Sequence, residues 1–385
     1  MVGQEKTLDE IGSGYTYFAN NDILVAKITP CFENGKGAHA MNLTNCVGFG
    51  STEFHVIRSI DCLSPRFLFY VTISHLFRKR GESFMYGAGG QKRIPDNYVK
   101  DFFLPTPPIS EQYIIAAFLD HECARIDELI EKKRRLLALL EEKRRAVITQ
   151  TVTHGLDRNA PMKDSGVEWM GQIPQEWEIK RLKYIGLITL GLTYSPEEVS
   201  HNGYGTLVLR SSNIQQGKLS FTDLVFVDKK IPKKLKTRQG DILVCTRNGS
   251  RALIGKNAII TAETGDATFG VFMSIIRSPF YQYLYWVLNS NLFEYKSGSY
   301  LTSTINQLTI QNLNSFEVPF PKWDEQQAIV AYLNAATAAI DAKRQAQERS
   351  IGLLQEYRAS LITHAVTGKI DVRDFQPAHS YQEAI

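Results

Sequence analysis

The chain repeats the segment FLPTPPISEQ, residues 103–112, as EVPFPKWDEQ at residues 317–326. The offset of 214 residues continues without a gap to Thr153 and Thr367. Matching residues recur at this offset throughout: Phe118-Leu119 with Tyr332-Leu333, Ile126-Asp127 with Ile340-Asp341, Arg144 with Arg358, Ile148-Thr149 with Ile362-Thr363, and Val152 with Val366. A constant offset over this length indicates an internal duplication, and this duplication organises the chain.

The duplication also extends upstream, where the offset changes. Asn21–Val25 matches Gly240–Val244, and Phe49–Arg58 matches Phe269–Arg277, at offsets of 219 or 220 residues. A changing offset means insertions and deletions. Each repeat is therefore predicted to consist of a variable globule followed by an element of fixed length.

The fixed-length element is predicted to be a long helix. The first copy should be helical from about Ser110 to Thr153, and the second from about Asp324 to Thr367. Gly155 and Gly368 follow the two segments, and glycine is the commonest residue just beyond a helix end.

Both predicted helices carry an apolar stripe at heptad spacing: Leu119, Ile126, Leu140 and Val147 in the first, and Leu333, Ile340, Leu354 and Leu361 in the second. Lys133 and Gln347 interrupt the stripes at equivalent positions, and polar residues in a helix seam can fix register. Two such helices would bury their stripes most economically against each other, so we expect an antiparallel coiled-coil pair. Packing of each helix on its own globule remains an alternative.

The globules contain short β-rich runs separated by Gly, Asn and Ser: Asp22–Ile28, Glu53–Ile57, Thr206–Leu209, Asp241–Thr246 and Thr268–Ile276. The expected fold class is α+β, with two strand-rich domains separated by the helix pair and related by a pseudo-two-fold repeat. Along the chain the expected division is 1–108 for the first globule, 109–153 for its helix, 154–177 for a connection, 178–322 for the second globule, 323–368 for its helix and 369–385 for a tail.

The composition of the 385 residues, 43% hydrophobic and 22% charged, is that of a globular protein, and no apolar run is long enough to span a bilayer. Residues Met1–Lys6 lack the pattern of a secretory signal, so we expect a cytoplasmic protein with no membrane role. Five cysteines without a C-x-x-C pair predict reduced thiols rather than disulfides or a zinc ribbon. The net charge of +4 permits nucleic-acid binding.

No motif for catalysis is found. The sequence lacks a G-x-x-x-x-G-K-[ST] phosphate loop, a G-x-S-x-G nucleophile elbow and an H-E-x-x-H zinc site. The segment Thr106–Ile109 has the paired prolines of amino-methyltransferase motifs, but it lacks their amide and their aromatic residue. We therefore expect a non-enzymatic protein with no catalytic, metal-binding or cofactor-binding residues.

Several long strings resemble the specificity subunits of Type I restriction-modification systems: Gly155-Leu156-Asp157, Met162–Gly171 and Ile173–Trp177 between the repeats, Lys27–Lys36 and Gly48–Phe54 in the first globule, and Leu209–Ile214 and Gly240–Thr246 in the second. The resemblance covers nearly the whole chain, and the strings stand in the family's order.

This resemblance implies that each globule is a target-recognition domain for one half of an interrupted, asymmetric site on double-stranded DNA. The helices would set the distance between half-sites and dock two methylase subunits, with restriction/translocase subunits joining the complex. A helix of this length spans about 65 Å. S-adenosylmethionine, ATP and Mg²⁺ would be bound by those partners, with no cofactor in this chain.

The two globules differ in length upstream of their matching strands. Asp241 stands 64 positions after Trp177, whereas 21 residues precede Asp22. The first recognition domain is therefore expected to be N-terminally shortened, through a misplaced start, a truncation or natural reduction. A truncated or inactive specificity subunit is one alternative. A coiled-coil assembly protein and a DNA methylase with degenerate motifs are two others.

Base reading requires side chains with paired donors and acceptors on loops, and phosphate binding requires cations. The candidate DNA-binding residues are Lys27, Thr29, Lys36, Gln91, Lys92 and Arg93 in the first globule, and Arg210, Ser212, Asn213, Arg247, Asn248, Ser250, Arg251, Thr304, Asn306 and Gln307 in the second. A turn-stabilising role is the alternative for each. The charged runs Glu131–Arg135 and Glu141–Arg145 are interpreted as a solvated helix face, with methylase docking or contact with the DNA backbone as the alternatives.

Overall fold

The computed structural model describes residues 5–7, 10, 14–88, 90–200, 202–300 and 306–376. The chain forms two compact units. Unit 1 comprises Met1–Leu136 and Ala346–Ile385, and unit 2 comprises Leu137–Gln345. The units cut across the linear division expected from the sequence, because each contains one globule together with half of each long helix.

The described part of unit 1 contains five strands and three short helices before the long helix. The strands are β1 Thr16–Ala19, β2 Ile23–Ala26, β3 Gly37–His39, β4 Val47–Gly50 and β5 Phe54–Ile57. The helices are α1 Pro65–Ile73, α2 His75–Glu82, α3 Asp96–Lys100 and the long α4 Ile109–His154. β1 pairs with β4, and the other strands form an antiparallel sheet in the order β3-β2-β5.

The N-terminal residues of α1 and α2 explain where these helices begin. Ser64 accepts a hydrogen bond from the backbone N–H of Phe67, and Ser74 does the same for Phe77. Serine is a favoured N-cap because its side-chain oxygen satisfies an otherwise unpaired N–H. The capped helices cover the sheet, and Val25 of β2 packs in one buried cluster with Phe77.

Unit 2 is larger. Its strands are β6 Met162–Asp164, β7 Gln172–Pro174, β8 Glu178–Arg181, β9 Leu187–Leu190, β10 Val199–Ser200, β11 Thr206–Leu209, β12 Ile214–Gln215, β13 Lys218–Leu219, β14 Val225–Val227, β15 Ile242–Cys245, β16 Asn257–Ile259, β17 Ala267–Phe269, β18 Met273–Arg277 and β19 Glu317–Phe320. Its helices are α5 Tyr281–Leu288, α6 Asn291–Tyr300 and α7 Ile310–Ser315, and the long α8 Trp323–Val366 follows.

Two four-stranded sheets form the centre of unit 2, in the orders β10-β14-β11-β17 and β16-β15-β18-β9. The described residues of unit 2 also form three two-stranded sheets, β12-β13, β19-β8 and β6-β7. The sheet interiors are apolar: Val208, Phe269, Leu243 and Ile275 are buried in one cluster. This packing explains why the β-branched runs in the sequence form strands.

The long helices lie antiparallel inside each unit. In unit 1, Asp127 pairs with Arg358 at 3.0 Å. In unit 2, Asp341 pairs with Arg144 at 3.2 Å, and each of these residues is the repeat counterpart of one in the first pair. The predicted helix pair is therefore confirmed. α4 begins one residue before and ends one residue after the expected Ser110–Thr153.

Gly155 ends α4 in the left-handed region, at φ +73°. A Cβ atom there would lie 3.0 Å from Oε1 of Glu325 and 3.2 Å from the Trp177 ring. The Trp177 indole N–H donates a 2.9 Å hydrogen bond to Glu325. Glycine is thus required both by the backbone conformation and by the close approach of these side chains.

In each unit, a buried aspartate just before one strand binds an arginine at the end of the neighbouring strand. Asp22 accepts two hydrogen bonds from Arg58, and Asp241 accepts two from Arg277. Their exposed fractions are 0% and 1%. This placement explains why the Asp-Ile-Leu-Val string is repeated, because an unpaired buried carboxylate would be costly.

All five cysteines are described, and none forms a disulfide. Burial raises the pKa of Cys123 and of Cys245 to about 11. Both thiols are therefore protonated near neutral pH and poorly nucleophilic. Within the described ranges, no helix has the length and apolar character needed to cross a membrane.

Candidate nucleic-acid interface

Three segments that the sequence singles out in unit 2 converge in space. Arg210–Asn213 follows β11, Arg247–Arg251 follows β15, and Asn306-Gln307 precedes α7. We call these segments the unit 2 loop cluster. The loops that follow β11 and β15, which belong to different sheets, therefore lie side by side.

Direct contacts hold the cluster together. The Asn248 side-chain amide donates to Oγ of Ser211 at 3.1 Å, and the Asn306 amide donates to the Gly249 carbonyl at 3.3 Å. The backbones of Arg247 and Gln307 form an isolated antiparallel bridge. The polar side chains are therefore held by local bonds rather than by packing alone.

Arg247 is the most available cation of the cluster. Its guanidinium lies over the Phe272 ring, 5.3 Å from the ring centroid, and Phe272 is itself 53% exposed. An arginine over an aromatic face keeps its donors free for a ligand while its plane is oriented. Arg251 is also exposed, although its guanidinium donates to the Gly298 carbonyl at 2.9 Å. Ser250 is exposed and precedes a short 3-10 turn.

Other candidates are more constrained. Arg210 forms an ion pair with Asp223 at 2.7 Å. Oγ of Ser212 is buried and has no hydrogen-bond partner among the described residues. Thr304 lies outside the residues that the structure describes.

Asn213 has a structural position that excludes direct DNA contact. The side chain is fully buried, its amide donates to the carbonyls of Ser220 and Asp223, and its oxygen accepts from the Arg210 N–H. Every polar atom of the side chain is used in holding the turn. We therefore correct the sequence expectation for Asn213, since the polar residue type in a turn sequence did not indicate burial.

Unit 1 builds the same arrangement from equivalent residues. The Ile94 N–H donates to the Lys27 carbonyl at 2.9 Å, as the Leu308 N–H donates to the Thr246 carbonyl at 2.8 Å in unit 2. The unit 2 bridge between Arg247 and Gln307 likewise has a counterpart, between Ile28 and Arg93. We call Lys27–Thr29 together with Gln91–Ile94 the unit 1 loop cluster.

Most candidate residues of unit 1 lie in this cluster. Thr29 and Lys92 are joined by three hydrogen bonds of 2.9 to 3.2 Å. Lys92 and Gln91 are exposed at its surface. Lys27 lies 4.0 Å from a carboxylate oxygen of Asp96. Lys36 is exposed in the segment before β3, and its carbonyl accepts from the backbone N–H of Ala26, the last residue of β2.

Arg93 differs most from the expectation of a free cation. Glu53 accepts two hydrogen bonds from its guanidinium, at 2.8 and 2.9 Å, and this pairing lowers the pKa of Glu53. The repeat counterpart of Glu53 is Phe272. At this repeat position, Glu53 neutralises Arg93 in unit 1, whereas the Phe272 ring packs against Arg247 in unit 2. Neither Glu53 nor Phe272 is among the sequence candidates, and only alignment of the repeats could have indicated them.

The first charged run of α4 is mostly exposed, and its Lys132 and Arg134 pair along the helix with Glu128 and Glu131, as in a solvated helix face. The second run also pairs with other elements: Arg144 pairs with Asp341 and Glu141 with Arg344, both on α8, while Arg145 pairs with Glu141 and Glu294. No group of three or more potential metal ligands occurs among the residues that the structure covers.

The sequence profile of the family described as Type I restriction modification DNA specificity domain matches residues 8–139 and 174–349. The chain is similar to the Type I restriction enzyme EcoAI specificity subunit of Escherichia coli, with 45% identity over 108 residues, which are 28% of this chain and 18% of that one. It is also similar to the MjaVIII specificity subunit of Methanocaldococcus jannaschii, with 24% identity over 97% of this chain and 86% of that one.

The match to the EcoKI specificity subunit of Escherichia coli covers 54% of this chain and 47% of that one, at 29% identity. The chain therefore spans less than half the length of the EcoAI and EcoKI specificity subunits. A chain from a structural study of complex assembly and conformational transition in the type I R-M system has the same fold, with a TM-score of 0.72 and 19% identity over 93% of this chain and 85% of that one. The predicted fold class is thereby confirmed.

Proposed function

This chain belongs to the family of Type I restriction modification DNA specificity domains, and we propose from this membership that it selects the DNA site for a Type I restriction-modification complex. In this role each unit reads one half of an interrupted sequence on double-stranded DNA. The chain itself performs no catalysis.

One observation carries the proposal: both units present a loop cluster with the same backbone scaffold. In each unit, the residue just after a strand accepts a backbone hydrogen bond from a segment later in the chain. The Lys27 carbonyl accepts from the Ile94 N–H in unit 1, and the Thr246 carbonyl accepts from the Leu308 N–H in unit 2. A duplicated scaffold with different side chains suits a protein that reads two different half-sites. Selection acting on packing alone would not favour polar side chains at both places.

The side chains supply the chemistry that DNA recognition requires. Arg247 and Gln307 can each form paired hydrogen bonds with a base edge, and Lys36 and Lys92 suit phosphate oxygens. The two clusters are not chemically equal, because Glu53 neutralises Arg93 whereas Phe272 supports Arg247. We therefore propose that the half-sites differ and that the recognised sequence is asymmetric.

The partners follow from the same proposal. Two repeats offer two similar surfaces, which suits two methylase subunits, and restriction/translocase subunits would join that assembly. S-adenosylmethionine, ATP and Mg²⁺ would be bound by those partners. We place the complex in the cytoplasm, where it would reach the DNA of a prokaryotic cell.

The test is co-expression with a partner methylase, followed by mapping of methylated adenines in the host genome. A two-part motif with a constant gap is the expected result. Arg247→Ala should relax or abolish reading of one half only, while Arg158→Ala, an exposed arginine outside both clusters, should leave the motif unchanged. A stable complex without sequence-specific methylation would contradict the proposal.

A further inference from the structure

Unit 2 has a cavity of about 690 Å³ on its surface, outside the unit 2 loop cluster. Its lining comes from β8 and the turn that follows it, from Phe280 just before α5, and from Phe320 at the end of β19. β18 separates the two places, because Phe272 of the loop cluster surroundings precedes this strand and Phe280 follows it. The five residues of β18 span about 15 Å, so the two surfaces are distinct. We call this feature the β8 cavity.

The floor of the β8 cavity is apolar. Ile185 belongs to the buried core of unit 2, and Ile179, Phe280 and Phe320 pack against that core. The Phe280 ring meets the Phe320 ring edge-on at a centroid distance of 4.9 Å, and it meets the Trp323 ring in the same way at 5.9 Å. These interlocked rings fix the shape of the floor, so the cavity is formed before any ligand enters it.

The rim of the cavity is cationic. Lys180 and Arg181 line it, and Lys183 stands next to the lining residue Tyr184. The Lys180 ammonium lies over a ring of the floor, 4.6 Å from its centroid, and the Lys183 ammonium lies 4.7 Å from the centroid of the Tyr184 ring. Lys180 also pairs with Glu178 at 3.1 Å. In the part of the chain that the structure describes, neither Arg181 nor Lys183 has a carboxylate oxygen within 4.0 Å.

Arg181 is the most available of these cations. It stands opposite Glu317 in the pairing of β8 with β19, but the two side chains form no ion pair. Tyr184 on the same rim is 72% exposed, and Trp323 beside the floor is 51% exposed. Arginine, tyrosine and tryptophan around an apolar cavity are the residues that contribute most to binding energy at protein interfaces. The β8 cavity therefore has the composition of a protein-binding surface.

The floor and the rim together select the chemistry of the occupant. The apolar floor requires an apolar side chain, because removal of apolar surface from water drives such binding. The cations of the rim require carboxylates, and an arginine can bind one carboxylate through two parallel N–H groups. Duplex DNA would supply anions for the rim, but its phosphates would leave the apolar floor empty. A protein segment can supply both groups at once.

We propose that the β8 cavity docks an acidic segment of a partner protein, in which one large apolar side chain is flanked by carboxylates. The apolar side chain enters between Ile179, Ile185 and Phe280. The flanking carboxylates pair with Arg181 and Lys183 on the rim. This docking surface lies outside both loop clusters and does not depend on their role in DNA reading.

The experiment selects peptides from a random phage-displayed library on the immobilised full chain. Enriched peptides should carry an aromatic residue or leucine between at least two acidic residues. An enriched peptide, labelled with fluorescein, should bind saturably and should slow amide hydrogen exchange at residues 179–185 while exchange at residues 246–251 stays unchanged. Replacing its apolar residue with serine should weaken binding about tenfold, and high salt should also weaken binding.

Charge-reversal variants of the protein locate the binding site. Arg181→Glu should weaken peptide binding about tenfold. Lys183→Glu, at a second exposed cation, should weaken it similarly and serves where the first variant impairs folding. Arg158→Glu is the matched control, because Arg158 is an exposed arginine of unit 2 outside the cavity lining, and it should leave binding unchanged.

Several results would overturn the proposal. One is the absence of enriched acidic peptides, and another is binding that neither charge reversal weakens. A DNA affinity that falls in Arg181→Glu, with a salt dependence less steep by about 1, would assign the rim to a DNA phosphate instead. Self-association of the chain that Arg181→Glu abolishes would assign the cavity to a second copy. Peptide binding requires neither DNA nor a methylase, so its outcome is independent of the proposed DNA recognition.

Discussion

The Lys133 ammonium donates a 3.0 Å hydrogen bond to the side-chain oxygen of Gln347, its own counterpart in the repeat. Both residues interrupt an apolar stripe in the sequence, and the structure brings them together in unit 1 as a half-buried polar contact. A single polar pair in an apolar seam disfavours slipped registers, because slippage would place each polar group against apolar side chains.

Replacing both residues of this pair with leucine tests its role. We expect the double variant to unfold at a Tm equal to or above that of the parent protein, because an apolar seam is at least as stable. Lys133→Leu alone should lower stability by about 1 kcal/mol, since Gln347 loses its partner. Thermal unfolding of the single and double variants gives the coupling energy, and strict additivity would contradict the assigned contact.

The ion pair between the buried carboxylate of Asp22 and the exposed guanidinium of Arg58 predicts a pH dependence. Hydrogen bonds from Arg58 hold the pKa of Asp22 below its usual 3.8. The folded protein therefore favours the carboxylate more than the unfolded chain does, so this interaction stabilises the fold above pH 3.8 and is lost as pH falls through the lower folded pKa. Asp22→Asn should lower Tm by about 4 °C at pH 7.

The Tm difference should shrink as the pH is lowered from 4 towards 2, because the parent protein loses the same interaction there. Asp101→Asn, at an exposed aspartate of unit 1, serves as the matched control and should leave Tm unchanged. A difference that stays constant down to pH 2 would rule out the carboxylate as its cause.

Arg247→Ala tests the unit 2 loop cluster in solution. DNA affinity should fall about tenfold, because an exposed arginine over Phe272 can form two hydrogen bonds with a base. The slope of log affinity against log salt concentration shows whether Arg247 contacts a base or a phosphate. Loss of a phosphate contact reduces the steepness of this slope by about 1, and loss of a base contact leaves it unchanged. Tm should match the parent protein, and unchanged affinity in the assembled complex would exclude Arg247 from recognition.

Asn213→Ala should act through folding rather than recognition. The substitution removes three hydrogen bonds inside a buried turn, so we expect the free energy of unfolding to fall by about 2 kcal/mol. Urea unfolding measures this loss. DNA binding should weaken in proportion to the loss of folded protein, and a variant of normal stability that no longer binds DNA would contradict our assignment.

Gln112 and Gln326 are repeat counterparts with unequal surroundings. Gln112 makes hydrogen bonds with Ser64, Cys62 and Pro107, whereas the Gln326 amide donates to Pro321 and its oxygen has no partner among the described residues. Gln112→Leu should therefore cost about 3 kcal/mol and Gln326→Leu about 1 kcal/mol. Chemical unfolding of the two variants measures the difference, and equal losses would contradict it.

The sequence predicts those elements that are marked by regularly spaced apolar residues or by the constant offset between the two repeats. The heptad stripes and the terminal glycines locate both long helices, and polar residues after two strand patterns locate the unit 2 loop cluster. Burial and pairing are decided by distant parts of the chain. The Asn213 amide is bonded to the carbonyl of Asp223, ten positions further along the chain, and Arg93 is neutralised by Glu53, which lies 40 positions away.

The two units also have different orders of assembly during synthesis. Unit 2 is one continuous stretch, Leu137–Gln345, whereas unit 1 needs Ala346–Ile385 as well as Met1–Leu136. Leu361 and Val366 of α8 belong to the same buried cluster as Leu119 of α4. On the ribosome, the cluster around Leu119 can therefore be completed only after α8 has been made, whereas all of unit 2 has been synthesised before that point.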